Sequence, residues 1–231
     1  MNSTRLYKLS LFVGLAILLT PLIGMAAITF DGSGSTVFQQ TQNSPCVIAN
    51  NSCNQPAGFT SFQDPNGAGG GGTYDFFSPV YHAITPFVAP ASYNGNQIPT
   101  SFTIGIDENI AAGQGAEALV FFRTLLCTDA TGSSCAVVAA NSYQPGSPTT
   151  IPNINNGNGF SDALLNGFSL TANSFYKFEA SVSNDTDGME QFFIIPVGTP
   201  QAVPEPRFVS LFLFAAMSLV AIYFRKRASV Q

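Results

Sequence analysis

The sequence predicts a mainly β protein, a β-sandwich or jelly-roll-like extracellular domain between an N-terminal signal helix and one C-terminal transmembrane helix. Three observations carry this. Short runs rich in Phe, Val, Ile and Tyr recur along residues 27–200, separated by turns of Gly, Pro, Asn and Asp. Several of these runs alternate apolar and polar residues, which gives a strand one core face and one water face. Both ends of the chain carry apolar stretches of a different kind, each flanked by basic residues.

The first end is a three-part secretory signal. Arg5 and Lys8 precede an apolar run from Leu9 to Leu19, Thr20-Pro21 breaks it, and Gly24-Met25-Ala26 supplies the small residues that a signal peptidase reads. Cleavage is expected between Ala26 and Ala27, so residues 1–26 are assigned to the signal. The apolar run is too short for a comfortable spanning helix.

Residues 27–200 form the exported domain, long enough to bury one sizeable core. Between Ala27 and Ala202 there are twelve acidic side chains and only Arg123 and Lys177 as basic ones, a balance that argues against a nucleic-acid partner. The four cysteines form two local couples, Cys46 with Cys53 and Cys127 with Cys135, with polar turn residues inside each couple. In an exported chain these are expected to be disulfides. Four-cysteine zinc sites use tighter couples.

Along the domain, Ile28–Phe30 and Val37–Gln39 flank Asp31-Gly32-Ser33-Gly34 and read as an opening hairpin. Residues 40–73 carry Pro45, Pro56, Pro65 and four consecutive glycines, and read as long loops. Tyr74–Phe77 and Val80–Val88, broken by Pro79 and Pro86, read as edge strands or strand ends. Phe102, Ile104 and Ile106 alternate with Thr103, Gly105 and Asp107, one face in the core and one in water. Leu119–Cys127 and Cys135–Ala140 make a hairpin tied across its mouth. Residues 161–166 resemble a helical turn capped by Ser161 or Asp162. Tyr176, Phe178, Ala180 and Val182 alternate strongly, and with Phe192–Val197 they read as a second hairpin across an acidic turn.

The candidates for chemistry are few. His82 is the sole histidine, in a strand context without a Gly-x-Ser-x-Gly elsewhere, and a structural role is the expectation. Asp107, Glu108, Glu117 and Glu179 lie on or near strands and are expected on solvated faces. Asp185, Asp187 and Glu190 around Gly188 place carboxylate oxygens at close spacing on a turn, a pattern that suits Ca²⁺. The third Asp or Asn and the distant Glu of the helical calcium loop are missing, so an acidic turn without metal is the favoured reading. No other cofactor is indicated. The sequence indicates no enzyme and no catalytic residues.

The C-terminal segment, residues 201–231, holds Val203, Pro204, Glu205 and Pro206, seventeen mostly apolar residues from Phe208 to Phe224, then Arg225, Lys226 and Arg227. As a helix, 208–224 is about 25 Å long and spans a bilayer once Arg207 and Arg225 snorkel. The basic triplet is a stop-transfer signal that keeps this end in the cytoplasm. The prolines hold the preceding strip extended, in a form an enzyme can grip.

This order, behind a signal peptide, resembles the PEP-CTERM proteins of Gram-negative bacteria, with Pro204-Glu205-Pro206 as motif and 208–224 as helix. Arg207 stands where that family usually has a small residue. The resemblance covers only about the last thirty residues. It implies processing by an exosortase-type enzyme, a precursor held transiently in the inner membrane, and delivery to the cell surface or extracellular matrix. It further implies a structural or interaction role with exopolysaccharide or other components of a biofilm matrix. The alternative is a carbohydrate-binding adhesin module, for which Tyr74, Tyr81, Tyr93 and Tyr143 are the candidate exposed aromatics.

Overall fold

The computed structural model describes residues 27–49, 53–60, 71–108, 115–154, 159–185 and 190–197. The signal segment 1–26, the sorting motif Val203–Pro206, the apolar run 208–224 and the basic triplet Arg225–Arg227 lie outside the described residues, as does Asp187.

The described chain is mainly β, in two sheets. One has the order β1 (Thr29–Asp31), β10 (Ala163–Ser169), β6 (Ser101–Asp107), β12 (Gln191–Pro196), β2 (Cys46–Ile48). The other runs β5 (Gln97–Pro99), β4 (Tyr81–Ile84), β11 (Ser174–Asp185), β7 (Ala118–Cys127), β8 (Cys135–Val137). In this sheet β3 (Gly72–Phe77) also pairs with β11, and β9 (Thr149–Thr150) also pairs with β7. Every pairing is antiparallel except β4 with β5.

The long strands β7 and β11 are the axis of the larger sheet, with nine registered pairs between them. Strands β3 and β4 follow one another along β11, and the break between them comes from Pro79, which has no N–H to donate. Ser78 bridges the break. Its N–H donates to the Phe178 carbonyl (2.9 Å) and its hydroxyl accepts the Phe178 N–H (2.7 Å), so the ladder continues.

Aromatic side chains join the two sheets. Phe102, Phe168 and Phe192 come from the smaller sheet, Phe122 and Phe178 from the larger, and all five are buried. Their ring centroids lie 5.0 to 6.0 Å apart in stacked, tilted and edge-on contacts. Each buried ring contributes roughly 1.5–3 kcal/mol from area alone, and edge-on pairs add to it. This shared core is that of a β-sandwich.

The structure corrects four expectations. Strands β11 and β12 are not a hairpin: they belong to different sheets. Two strong alternating runs beside a turn do not reveal whether their apolar faces meet in one sheet or across two. The opening hairpin is also absent, since β1 pairs with β10 while Gln39 bridges Phe160. Residues 163–169 are a strand rather than a helical turn, because Ala163, Leu165 and Phe168 all enter the core. A shift between Leu165 and Phe168, at Gly167 with φ +102°, keeps the two halves in register with that core.

The fourth correction concerns the outer face of β6. Phe102, Ile104 and Ile106 face the core as expected, but Gly105 is covered rather than wetted. A Cβ there would stand 2.4 Å from the Phe193 ring. Phe193, Ile195, Leu164, Cys46 and Ala49 form a second apolar layer on the outside of this sheet, with Phe38 and Cys53 packed against it. The stretch read as loop supplies much of that layer, including β2, which pairs with β12.

Both disulfides are formed, Cys46–Cys53 and Cys127–Cys135. The second joins directly registered residues of β7 and β8, so this hairpin is tied across its mouth. Its turn is organised by Asp129, whose Oδ1 accepts the Thr131 N–H at 2.8 Å. These hydrogen bonds hold the exposed Asp129 carboxyl below its ordinary range.

Candidate metal centre

Strands β6 and β11 end, and β7, β10 and β12 begin, at the same end of the sandwich. At these termini stand Asp107 and Glu108, Asp185, Glu117, Asp162 and Glu190. All six carboxylates are buried. The expectation that Asp107, Glu108 and Glu117 sit on solvated faces is therefore corrected: all three are buried where the strands end or begin. Glu179, in contrast, lies mid-strand on β11 near Arg123, with 4.0 Å between Oε2 and Nη1.

Two of the six act as clasps. Asp162 accepts the Glu108 N–H through Oδ2 and the Ile154 N–H through Oδ1, each at 2.9 Å, while its own N–H donates to the Ile106 carbonyl at 2.7 Å. Asp107 accepts the Gly159 N–H. Burial pushes the Asp107 carboxyl up to about 7, with the Gly159 hydrogen bond opposing and the charge of Asp162 adding.

Glu108 links this clasp to the remaining acids. Its Oε1 accepts the Glu117 N–H at 3.2 Å. Burial is the main cause that raises its carboxyl to about 8; the Glu117 hydrogen bond opposes, and the charges of Glu117 and Asp162 raise it further. Its other oxygen, Oε2, is buried with no hydrogen-bond partner among the described residues.

Glu117, Asp185 and Glu190 meet most closely. One carboxylate oxygen from each lies within 4.8 Å of the other two, and all three residues are fully buried. A local irregularity sets this up. Along β11 the core positions alternate through Tyr176, Phe178, Ala180 and Val182, a phase that would bury residue 184 and expose 185. Asn184 instead adopts a left-handed φ of +62°, and the pairing with β3 shifts between Ser183 and Asp185. The bulge reverses the phase, so Asn184 faces out and Asp185 in. Asn184 then donates through Nδ2 to the Ala116 carbonyl at 2.9 Å, which ties the end of β11 to the residue before Glu117.

No protein-family model matches the chain, and neither a curated protein nor a solved structure is similar to it.

Of the acidic turn singled out in the sequence, Asp185 and Glu190 converge, and Asp187 lies outside the described residues. Glu117 is the partner that spacing did not reveal, 68 residues before Asp185 in the chain. The only available signal was its position at a predicted strand start. The tyrosines are a further correction. Tyr81 and Tyr93 are fully buried rather than exposed, Tyr81 stacked on Phe59 and Tyr93 edge-on to it. The Tyr81 hydroxyl donates toward the Thr60 carbonyl (2.9 Å) and lies 3.2 Å from that of Val47; the Tyr93 hydroxyl donates to Asn43 (3.1 Å). Internal acceptors are what let these rings leave the surface. Tyr74 and Tyr143 are half-buried and pack against the core. His82 stacks on Phe175, its cross-strand neighbour, at 4.9 Å.

Proposed function

We propose that the chain is an exported surface or extracellular-matrix protein, sorted through its PEP-CTERM-like tail, with a structural or interaction role in an exopolysaccharide or biofilm matrix. The observation that carries the reading is the pair of closed disulfides in a turn-rich β body, which suits an oxidising compartment outside the cytoplasm. The signal-like residues before Ala27 and the sequence of motif, apolar run and basic triplet within Val203–Arg227 agree with that compartment. The body, an extracellular sandwich of the jelly-roll-like kind, is the cargo. Signal peptidase, an exosortase-type enzyme and the inner membrane act on the precursor, matrix components are its later partners, and the chain itself performs no catalysis.

Mass spectrometry of the exported protein tests this. The expected mature form begins at Ala27 and ends near the Pro-Glu-Pro motif, without peptides from 208–227. Recovery of exported protein intact through Arg227 overturns it. The carbohydrate-binding alternative draws less support, because Tyr81 and Tyr93 are committed to the interior.

A further inference from the structure

We propose that Glu117, Asp185 and Glu190 hold a divalent cation of the Ca²⁺ class, buried at the end of the sandwich where β11 meets β7 and β12. The first reason is metrical. Ca²⁺ binds oxygens at about 2.3–2.6 Å, so two ligands of one ion stand at most about 5 Å apart. The three carboxylate oxygens, all within 4.8 Å of one another, fit around a single ion.

The second reason is charge. A carboxylate taken out of water keeps its charge only beside a compensating positive charge and otherwise takes up a proton. The only basic side chains between residues 27 and 202 are Arg123 and Lys177. Lys177 is eight residues along β11 from Asp185, about 26 Å at strand rise. Arg123 is paired in register with Glu179, about 20 Å from Asp185 by the same measure, and is held there by Gln144 and the Phe121 ring. Neither reaches the cluster, so no basic side chain of residues 27–202 repels a cation bound there.

The third reason is independent of the triad. Glu108, 5% exposed, sits against Glu117 through the 3.2 Å hydrogen bond to Oε1, and its buried Oε2 has no hydrogen-bond partner among the described residues. Buried polar oxygens left in this way point to a missing ion or ordered water. The donor set also selects the metal. All ligands are hard oxygens, with neither imidazole nor thiolate, which excludes the preference of zinc and copper sites. The ligands come from three separate strand termini, an irregular frame that suits Ca²⁺ better than the strict octahedron of Mg²⁺.

The proposal rests on the exported reading only for a compartment rich in Ca²⁺, and its test is separate. The full chain, purified in mild detergent and stripped with EDTA, is titrated with CaCl₂ by calorimetry and followed by thermal unfolding. One bound ion is expected with Kd of about 10⁻³ M or tighter, with a rise in midpoint that MgCl₂ at equal concentration does not match. Asp185→Asn and Glu190→Gln are expected to weaken Ca²⁺ at least ~10-fold, the minimum seen even for outer-shell changes. In EDTA these variants are expected to melt no lower than the parent, since each removes one buried like charge. Asp129→Asn, in an exposed turn, leaves Ca²⁺ binding unchanged.

No heat and no midpoint shift for the parent at ~10⁻² M Ca²⁺, tenfold above the weak extracellular range, overturns the site. Equal shifts with Mg²⁺, or full retention of Ca²⁺ binding by both variants, overturn it as well. If a variant does not fold, the parent titration decides. Failure here leaves the mass of the exported protein, and thus the sorting reading, unaffected.

Discussion

Asn184 shows how much one residue can decide. Asp185 would face outward in a regular strand; the left-handed turn at Asn184 moves it inward beside Glu117 and Glu190. Asn tolerates that conformation better than most residues, but it occurs in many loops, so its identity alone does not announce the bulge. Asp107 carries a prediction at this scale. Its folded carboxyl is raised to about 7 from an ordinary value of 3.8, mainly by burial, so the folded state holds its proton more tightly than the unfolded chain. The stability this contributes is present in full below about pH 4 and is lost as pH rises through about 7. In EDTA the unfolding free energy is expected to fall across that window, by up to ~1.4 kcal/mol per pH unit from this group. Asp107→Asn removes its share of the slope, which urea unfolding at stepped pH measures.

The element scale was legible where a signal was local. The β7–β8 hairpin could be read from two apolar runs, the Asp129–Gly132 turn and a cysteine at each mouth position, since all its partners lie within twenty residues. β2 could not, because three residues within a proline-rich stretch become a strand only when β12 is beside them. The two disulfides close loops of similar length, with separations of 7 and 8, so unfolded-chain entropy is worth about 2–3 kcal/mol in either case. They differ in the folded state. Cys46 is fully buried in the outer apolar layer with Phe193 and Leu164, whereas Cys135 is only half-buried. Replacing both Cys46 and Cys53 by Ala is therefore expected to cost about 1 kcal/mol more than replacing Cys127 and Cys135, through the cavity left beside Phe193. Urea midpoints of the two double variants, measured side by side, check the order.

For the molecule as a whole, the core between the sheets is the decisive object, and Phe178 is at its centre, touching Tyr81, Phe102 and Phe122. Phe178→Ala is expected to cost about 3–5 kcal/mol in denaturant unfolding, and Phe178→Leu much less, because most of the volume is kept. A body bound only by local hairpins would lose far less at that position. The sequence by itself determined the β class and both disulfides, because alternation and cysteine spacing are properties of neighbouring residues. Only the tertiary structure decided that β11 and β12 lie in opposite sheets, that Tyr81 and Tyr93 are internal, and that Glu117 joins Asp185 and Glu190. The physical reason is common to all three. Period-two patterning states that a face is buried but not what buries it, so groups from distant strand ends meet only after the two sheets close on one core.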